Sequence, residues 1–209
     1  MIQKSKAVLM AAVLVLSSLY ARAEQDEMTA GIKGGLVLPS YQSKSQSAFA
    51  MATWNIGAFF AYGLFDDLYL GAAFTFSTFD AQKDGYKTNY EGLDYEGTLR
   101  FDARMYHPEL GLKYKLYAGY NLAPYIEAWF GYAWSTYLNP TLHDQDGRRY
   151  DIEVGDFGEG VFTLKGGLSV DYRLFNMIFA GAGVYFTWTV GDSVLEYTLE
   201  VPVYFAYYW

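Results

Sequence analysis

Two histidines, His107 and His143, are the residues in this chain best suited to act as bases near neutral pH. His107 stands beside Pro108 and Glu109, with no serine near it in sequence. His143 stands with Asp144 and Asp146. A histidine base makes a nucleophile only when a hydroxyl or thiol lies within hydrogen-bond reach. The chain has no cysteine, which removes thiol nucleophiles, thiolate metal sites and disulfides. Both histidines are therefore read as structural or surface residues. No catalytic residue, metal ligand or cofactor is assigned, and catalysis stays open only because a triad is defined by geometry and not by spacing.

Acidic stretches are the second source of chemistry. Between positions 143 and 159 lie Asp144, Asp146, Asp151, Glu153, Asp156 and Glu159, together with Arg148 and Arg149. The Asp-x-Asp-Gly start is similar to a calcium loop, but the later spacing does not follow an EF-hand. Solvated turn residues are the simpler reading. The alternative is divalent-cation bridging to lipopolysaccharide phosphates, which Arg148 and Arg149 could also meet directly. Asp84, Glu91, Asp94 and Glu96 add acid to an earlier connection, while Tyr41 and Phe49 between 39 and 51 suit either adhesion or plain loop packing.

These residues hang on a strongly periodic frame. In the stretch 200–209, Val201, Val203, Phe205, Tyr207 and Trp209 alternate with Glu200, Pro202, Tyr204, Ala206 and Tyr208. Alternation of this kind places the two sets on opposite faces of a strand. Seven earlier segments alternate in the same way, at about 28–38, 52–64, 68–80, 99–116, 124–137, 161–174 and 178–190. Short and long connections separate them in turn. In the fourth segment the apolar phase reverses between Met105 and Leu110, near His107-Pro108, and a β-bulge there is the economical expectation.

Composition narrows the class. The chain is 20% aromatic and 18% charged, below the roughly 25% charge of an ordinary soluble domain. Its net charge of −8 argues against nucleic acid as a partner. Lys4 and Lys6, the apolar run 7–20 and Ala21-Arg22-Ala23 read as a cleavable export leader over 1–23. Removing it takes three positive charges and moves the net charge from −8 to −11. The remaining 24–209 reads as one domain.

The leader, the eight segments and the aromatic end at Val201, Val203, Phe205, Tyr207 and Trp209 together resemble the small OmpA/OmpX-type outer-membrane β-barrels. Trp209 stands where that family usually has Phe. The resemblance implies an all-β fold, a transmembrane antiparallel up-and-down barrel of eight strands. It also implies a place in the outer membrane, contact with lipid and lipopolysaccharide, and a C-terminal signal for the barrel-assembly machinery. The face opposite the apolar one is rich in Gly, Ala, Ser and Thr, as a narrow lumen requires. By phase, Lys33, Glu127, Lys165, Asp171 and Glu200 fall on that face, with Lys113 beside them and Arg100, Asp102 and Arg104 above. These nine form an expected lumen charge network, because isolated buried charge is costly. The function expected is non-enzymatic, in envelope integrity or surface interaction through acidic loops, with any external ligand unnamed. A narrow channel for small solutes or ions is one alternative. A lipid A-modifying enzyme is the other, weakened because no His-x-Ser pair like that of lipid A deacylases is present.

Overall fold

The computed structural model describes residues 27–41, 52–90, 93–116, 121–144, 148–150, 157–191 and 195–209. The expected leader 1–23 lies outside the described residues, as do Phe49, Glu91, Asp146, Asp151, Glu153 and Asp156. The strands are β1 Met28–Tyr41, β2 Thr53–Phe65, β3 Leu68–Tyr90, β4 Leu93–Lys115, β5 Leu122–Asp144, β6 Arg149–Tyr150, β7 Phe157–Phe175, β8 Ile178–Val190 and β9 Leu195–Tyr208. Each pairs antiparallel with its neighbour, in the order β1-β2-β3-β4-β5-β7-β8-β9. β9 pairs back onto β1, so eight strands form a closed up-and-down barrel, as the alternation and the resemblance led us to expect. β6 is a two-residue rung on β5, outside the ring.

Closure is completed at the short-turn end. The Met28 amide donates to the Trp209 carbonyl at 2.9 Å, and the Trp209 amide donates back at 3.0 Å. The β1–β9 seam then runs in unbroken register from Thr29 opposite Tyr208 to Ser40 opposite Tyr197.

The alternating apolar set lies outside. Ile32 is 66% exposed, Trp134 63% and Phe205 58%. An apolar ring of this extent has no stable place in water and needs hydrocarbon around it. Phe76, Tyr106 and Trp134 sit on one rung at the long-hairpin end, with Trp54 and Trp188 exposed on other strands. Tyr172, Tyr207 and Trp209 mark the short-turn end. From Tyr106 to Leu116 is about 33 Å of strand, or about 25 Å of height at a tilt of about 40°, which matches a bilayer's apolar band.

β4 differs from expectation. Its register with β3 is continuous from Leu68 opposite Tyr114 to Lys83 opposite Leu99, with Thr75 opposite His107 and Phe74 opposite Pro108. No residue slips at 106–108. Leu99, Phe101, Ala103 and Met105 point inward and are buried with Phe79, Ala133 and Tyr137. Arg100, Asp102 and Arg104, expected in the lumen, point outward and are exposed. The strand leaves lipid just beyond Tyr106. Above that level the outer face meets water and the inner face is dry, so polarity changes sides while geometry does not. A true register shift lies higher, between Arg100 and Asp102 against β5. There Asn139, at φ 52°, and Pro140 oppose the single residue Phe101. A bulge tolerates proline's missing donor.

The long connections are also more regular than expected. The hairpin of β3 and β4 continues to Tyr90 opposite Leu93, with a shift between Lys83 and Tyr86, where Gly85 has φ 67°. β5 likewise runs on to Asp144. The barrel therefore has one tall wall, while β1, β2, β8 and β9 are short.

Two of the large rings in the lumen lie over glycines. The Trp129 indole lies over Gly71 and Gly111, and the Tyr204 phenol lies over Gly181. A Cβ at Gly111 would sit 2.5 Å from the Trp129 ring and 2.5 Å from the Ala128 carbonyl oxygen. Gly111→Val should therefore destabilise the barrel by about 1–3 kcal/mol. Gly166→Ala should be near neutral, because its nearest atom is 4.0 Å away. Urea unfolding of the reconstituted protein, followed by tryptophan fluorescence, separates the two outcomes.

Candidate functional site

The lumen is where ionisable groups converge. Inward positions recur every second residue, so each strand that contributes a charge does so at a height fixed by its register. Two layers result.

The lower layer, near the short turns, centres on Asp171, which is 1% exposed. Lys113 Nζ donates to its Oδ2 at 3.2 Å, and the hydroxyls of Tyr204 and Tyr208 donate to its two oxygens. Lys113 lies 3.8 Å from Glu127 Oε1 and 3.8 Å from the centre of the Tyr125 ring. Glu127, opposite Lys113 on β5, accepts from Ser169 and from Trp129 Nε1 at 2.9 Å. Every member of this layer thus has a partner that offsets its desolvation.

The upper layer spans the lumen. Lys165 Nζ on β7 is 2.7 Å from Glu109 Oε1 on β4 and 3.1 Å from Glu200 Oε2 on β9. Lys33 Nζ on β1 reaches the same Glu109 at 3.5 Å. Glu200 also accepts from Thr187 at 3.0 Å and from Thr198 and Asn55 at 3.5 Å. None of these strands is a neighbour of the strand it is tied to by charge. The pairs join strands two or three places apart around the ring, a task that the inter-strand ladder cannot perform.

A cavity of about 40 Å³ lies between the layers, lined by Lys33, Lys113, Glu127, Lys165, Glu200 and Tyr185 among others. It has room for a few waters. Above the upper layer, the lumen is filled by the cluster of Phe79, Leu99, Phe101, Met105 and Tyr137. Below the lower layer, Ala61, Tyr69 and Tyr125 pack together.

Of the nine charges expected inside, Lys33, Lys113, Glu127, Lys165, Asp171 and Glu200 are brought together here. Arg100, Asp102 and Arg104 are not, for the reason given by the exit of β4 from lipid. Sequence reasoning did not place Glu109 and His107 in the lumen, where both are buried. Counting back from Lys113 by twos reaches both, but the supposed bulge hid that phase.

His107 does not form a catalytic relay. Its Nε2 is 2.7 Å from Thr163 Oγ1 and 3.7 Å from Glu109 Oε1. In a relay one ring nitrogen meets the nucleophile and the other meets the acid. Here a single nitrogen faces both, in a side chain 1% exposed. His143 Nε2 faces Thr141 Oγ1 at 3.5 Å on the tall wall. Among the described residues no group of three or more His, Asp or Glu is placed to hold a metal ion.

Comparison with known proteins supports the same class. No protein-family model matches the chain, and no curated protein matches its sequence. Solved structures do. Neisserial surface protein A is similar at TM-score 0.55 and 12% identity, over 87% of this chain and 96% of that one. A major outer-membrane protein of Thermus thermophilus is similar at 0.53 and 13%, over 89% and 100%. OprG, an outer-membrane protein of Pseudomonas aeruginosa, is similar at 0.52 and 18%, over 90% and 98%. The fold is that of the small outer-membrane β-barrels, consistent with the OmpA/OmpX-type resemblance.

The upper layer sets a test. Lys165→Met leaves Glu109 and Glu200 without their shared cation, and should lower the barrel's unfolding free energy by about 3–5 kcal/mol. Equilibrium urea titration in lipid vesicles measures the loss. The double variant Lys165→Met/Glu200→Gln should recover part of it, because one uncompensated carboxylate has been neutralised.

Proposed function

We propose that this chain is exported by the leader 1–23, that 24–209 is inserted in the outer membrane as a multi-pass barrel, and that it works there without catalysis. Its role in this reading is envelope integrity or surface interaction, carried out by the wall that it raises above the membrane. Val201, Val203, Phe205, Tyr207 and Trp209 serve as the signal for the barrel-assembly machinery. Lipid and lipopolysaccharide are its standing partners.

One observation carries the non-transporting reading. The lumen is crossed by Lys33, Glu109, Lys165 and Glu200, which join non-neighbouring strands, and is filled above them by buried apolar side chains. An eight-stranded barrel has little interior to spare beyond its own side chains. A solute path would require both layers and the apolar cluster to move together. The wall itself offers polar, water-facing groups. Lys87, Glu96, Asp94 and Asn89 are exposed near its top, with Lys87 paired to Glu96 at 3.1 Å and Asn89 bonded to Asp94 at 2.7 Å.

Planar-bilayer recording is the direct test. The wild-type protein and Glu200→Gln should both leave the bilayer silent at potentials that open porins. Discrete ohmic steps in the wild type, altered by Glu200→Gln, would replace this reading with the narrow channel. Unchanged lipid A mass spectra on expression are expected as well, and a shifted acyl pattern would favour an enzyme.

A further inference from the structure

The ladder between β4 and β5 has a gap that a change of register does not explain. The pairing rises from Lys115 opposite Tyr125 to Glu109 opposite Gly131, and it resumes at Tyr106 opposite Trp134. Three residues separate the flanking pairs on each strand, so nothing is inserted and two rungs are missing. On the other side of β4 the same residues keep their rungs, with His107 opposite Thr75 and Pro108 opposite Phe74 on β3. Tyr132 and Ala133, which would close the gap from β5, keep theirs with Phe162 and Val161 on β7. The break therefore lies on one line, between β4 and β5 alone.

Proline is the cause. It has no backbone N–H, and within a sheet it is confined to edges and bulges. This closed ring offers no edge, and no extra residue makes a bulge here. Pro108 is exposed on the outer face, one outward step below Tyr106 and one above Leu110, which is 63% exposed. At that depth the surroundings are hydrocarbon, where no water replaces a lost backbone bond. The wall is poorest in hydrogen bonds just inside the boundary of the bilayer.

The lumen side of the same line carries two side-chain ties. His107 Nε2 lies 2.7 Å from Thr163 Oγ1, and Glu109 Oε1 lies 2.7 Å from Lys165 Nζ. His107 and Glu109 are consecutive inward residues of β4, and Thr163 and Lys165 are consecutive inward residues of β7. Each tie passes over β5 and joins the strands on either side of it. Gly131, paired with Thr163, makes the first tie possible. A Cβ there would stand 2.6 Å from His107 Nε2 and 2.8 Å from Thr163 Oγ1. All four tied side chains are buried. β5 is thus strapped from within at the height where its ladder to β4 fails.

We propose that the β4–β5 line at His107 and Pro108 is a built-in line of local opening in the barrel wall, and that His107–Thr163 and Glu109–Lys165 form the strap that keeps it closed. His107 is a positioning residue in this role. The strap acts on the wall of an inserted barrel and needs nothing of the envelope or surface role given under Proposed function.

The folded protein in phosphatidylcholine nanodiscs, followed by amide hydrogen exchange and mass spectrometry, provides the test. In the wild type the segment 129–134 should exchange faster than the segment 200–206 of the closing strand. Thr163→Val removes the hydroxyl at nearly constant shape, and His107→Ala removes the imidazole. Each should speed exchange in 129–134 roughly tenfold and leave 200–206 unchanged. Pro108→Ala returns the missing donor and should slow exchange in 129–134 below the wild-type rate. His107→Ala/Pro108→Ala should fall back close to the wild type. Tyr208→Phe, which removes a bond of the lower layer, should leave 129–134 as it is. Exchange in 129–134 that is unmoved by both Thr163→Val and Pro108→Ala overturns the strap, and so does a change spread evenly over all strands. If His107→Ala does not fold, those two variants decide alone. The mobility of unheated samples on gels reports insertion separately, so loss of the barrel is told apart from opening of the line.

Discussion

In hydrocarbon a backbone amide has no water to bond, so each unpaired donor or acceptor costs several kcal/mol. A sheet survives there only if it has no edge. The two hydrogen bonds between Met28 and Trp209, and the β1–β9 register that follows from them, remove the edge from this one. Other features of the molecule descend from that closure. Eight strands fix a narrow interior, which in turn limits what side chains can occupy it. The glycines opposite Trp129 and Tyr204 are a direct consequence, since a Cβ at Gly71, Gly111 or Gly181 would collide with the ring.

A narrow interior also explains why charge inside is arranged in shared pairs. A lone buried lysine would be intolerable, but Lys165 faces two carboxylates, and Glu109 faces two lysines. Sharing lets each ion answer more than one partner with little volume. It also ties β1 to β4 and β7 to both β4 and β9, strands that the hydrogen-bond ladder never joins. Ladder and charge network are therefore complementary. The first fixes neighbours and register, and the second fixes the cross-section.

The alternation of side chains made most of this legible from sequence. For β1, β2, β3, β5, β7, β8 and β9, period two sorted lipid-facing from lumen-facing residues, because the outer surroundings were hydrocarbon along the whole stretch that was read. It failed on β4, whose outer surroundings change partway. Alternation reports a contrast between two faces and carries no sign of which face is which. When Arg100, Asp102 and Arg104 took the polar side above Tyr106, the pattern was indistinguishable from a one-residue slip, and Pro108 supplied a tempting cause. Glu109 and His107 were lost for the same reason. The partnership of Glu109 with Lys33 and Lys165 could not have been read at all, since it depends on which non-neighbouring strands come within reach around the ring.

The same reversal of polarity measures the membrane. On β3 it falls between Phe76 and Thr78, on β4 between Tyr106 and Arg104, and on β5 between Trp134 and Thr136, three steps that lie on matching rungs. Trp54 pairs with Thr78 at this same level, so β2 ends about where the lipid ends, while β3, β4 and β5 continue. Only a strand that outlives the bilayer can show a reversal, which is why the short strands β1, β2, β8 and β9 read cleanly. Above the boundary the tall wall has water on its outer side. Its inner side must then supply apolar burial of its own, and Leu99, Phe101, Met105 and Tyr137 do so. The apolar cluster that fills the upper lumen and the exposed Arg100, Asp102 and Arg104 are thus two sides of one requirement, imposed on alternate residues of a single strand.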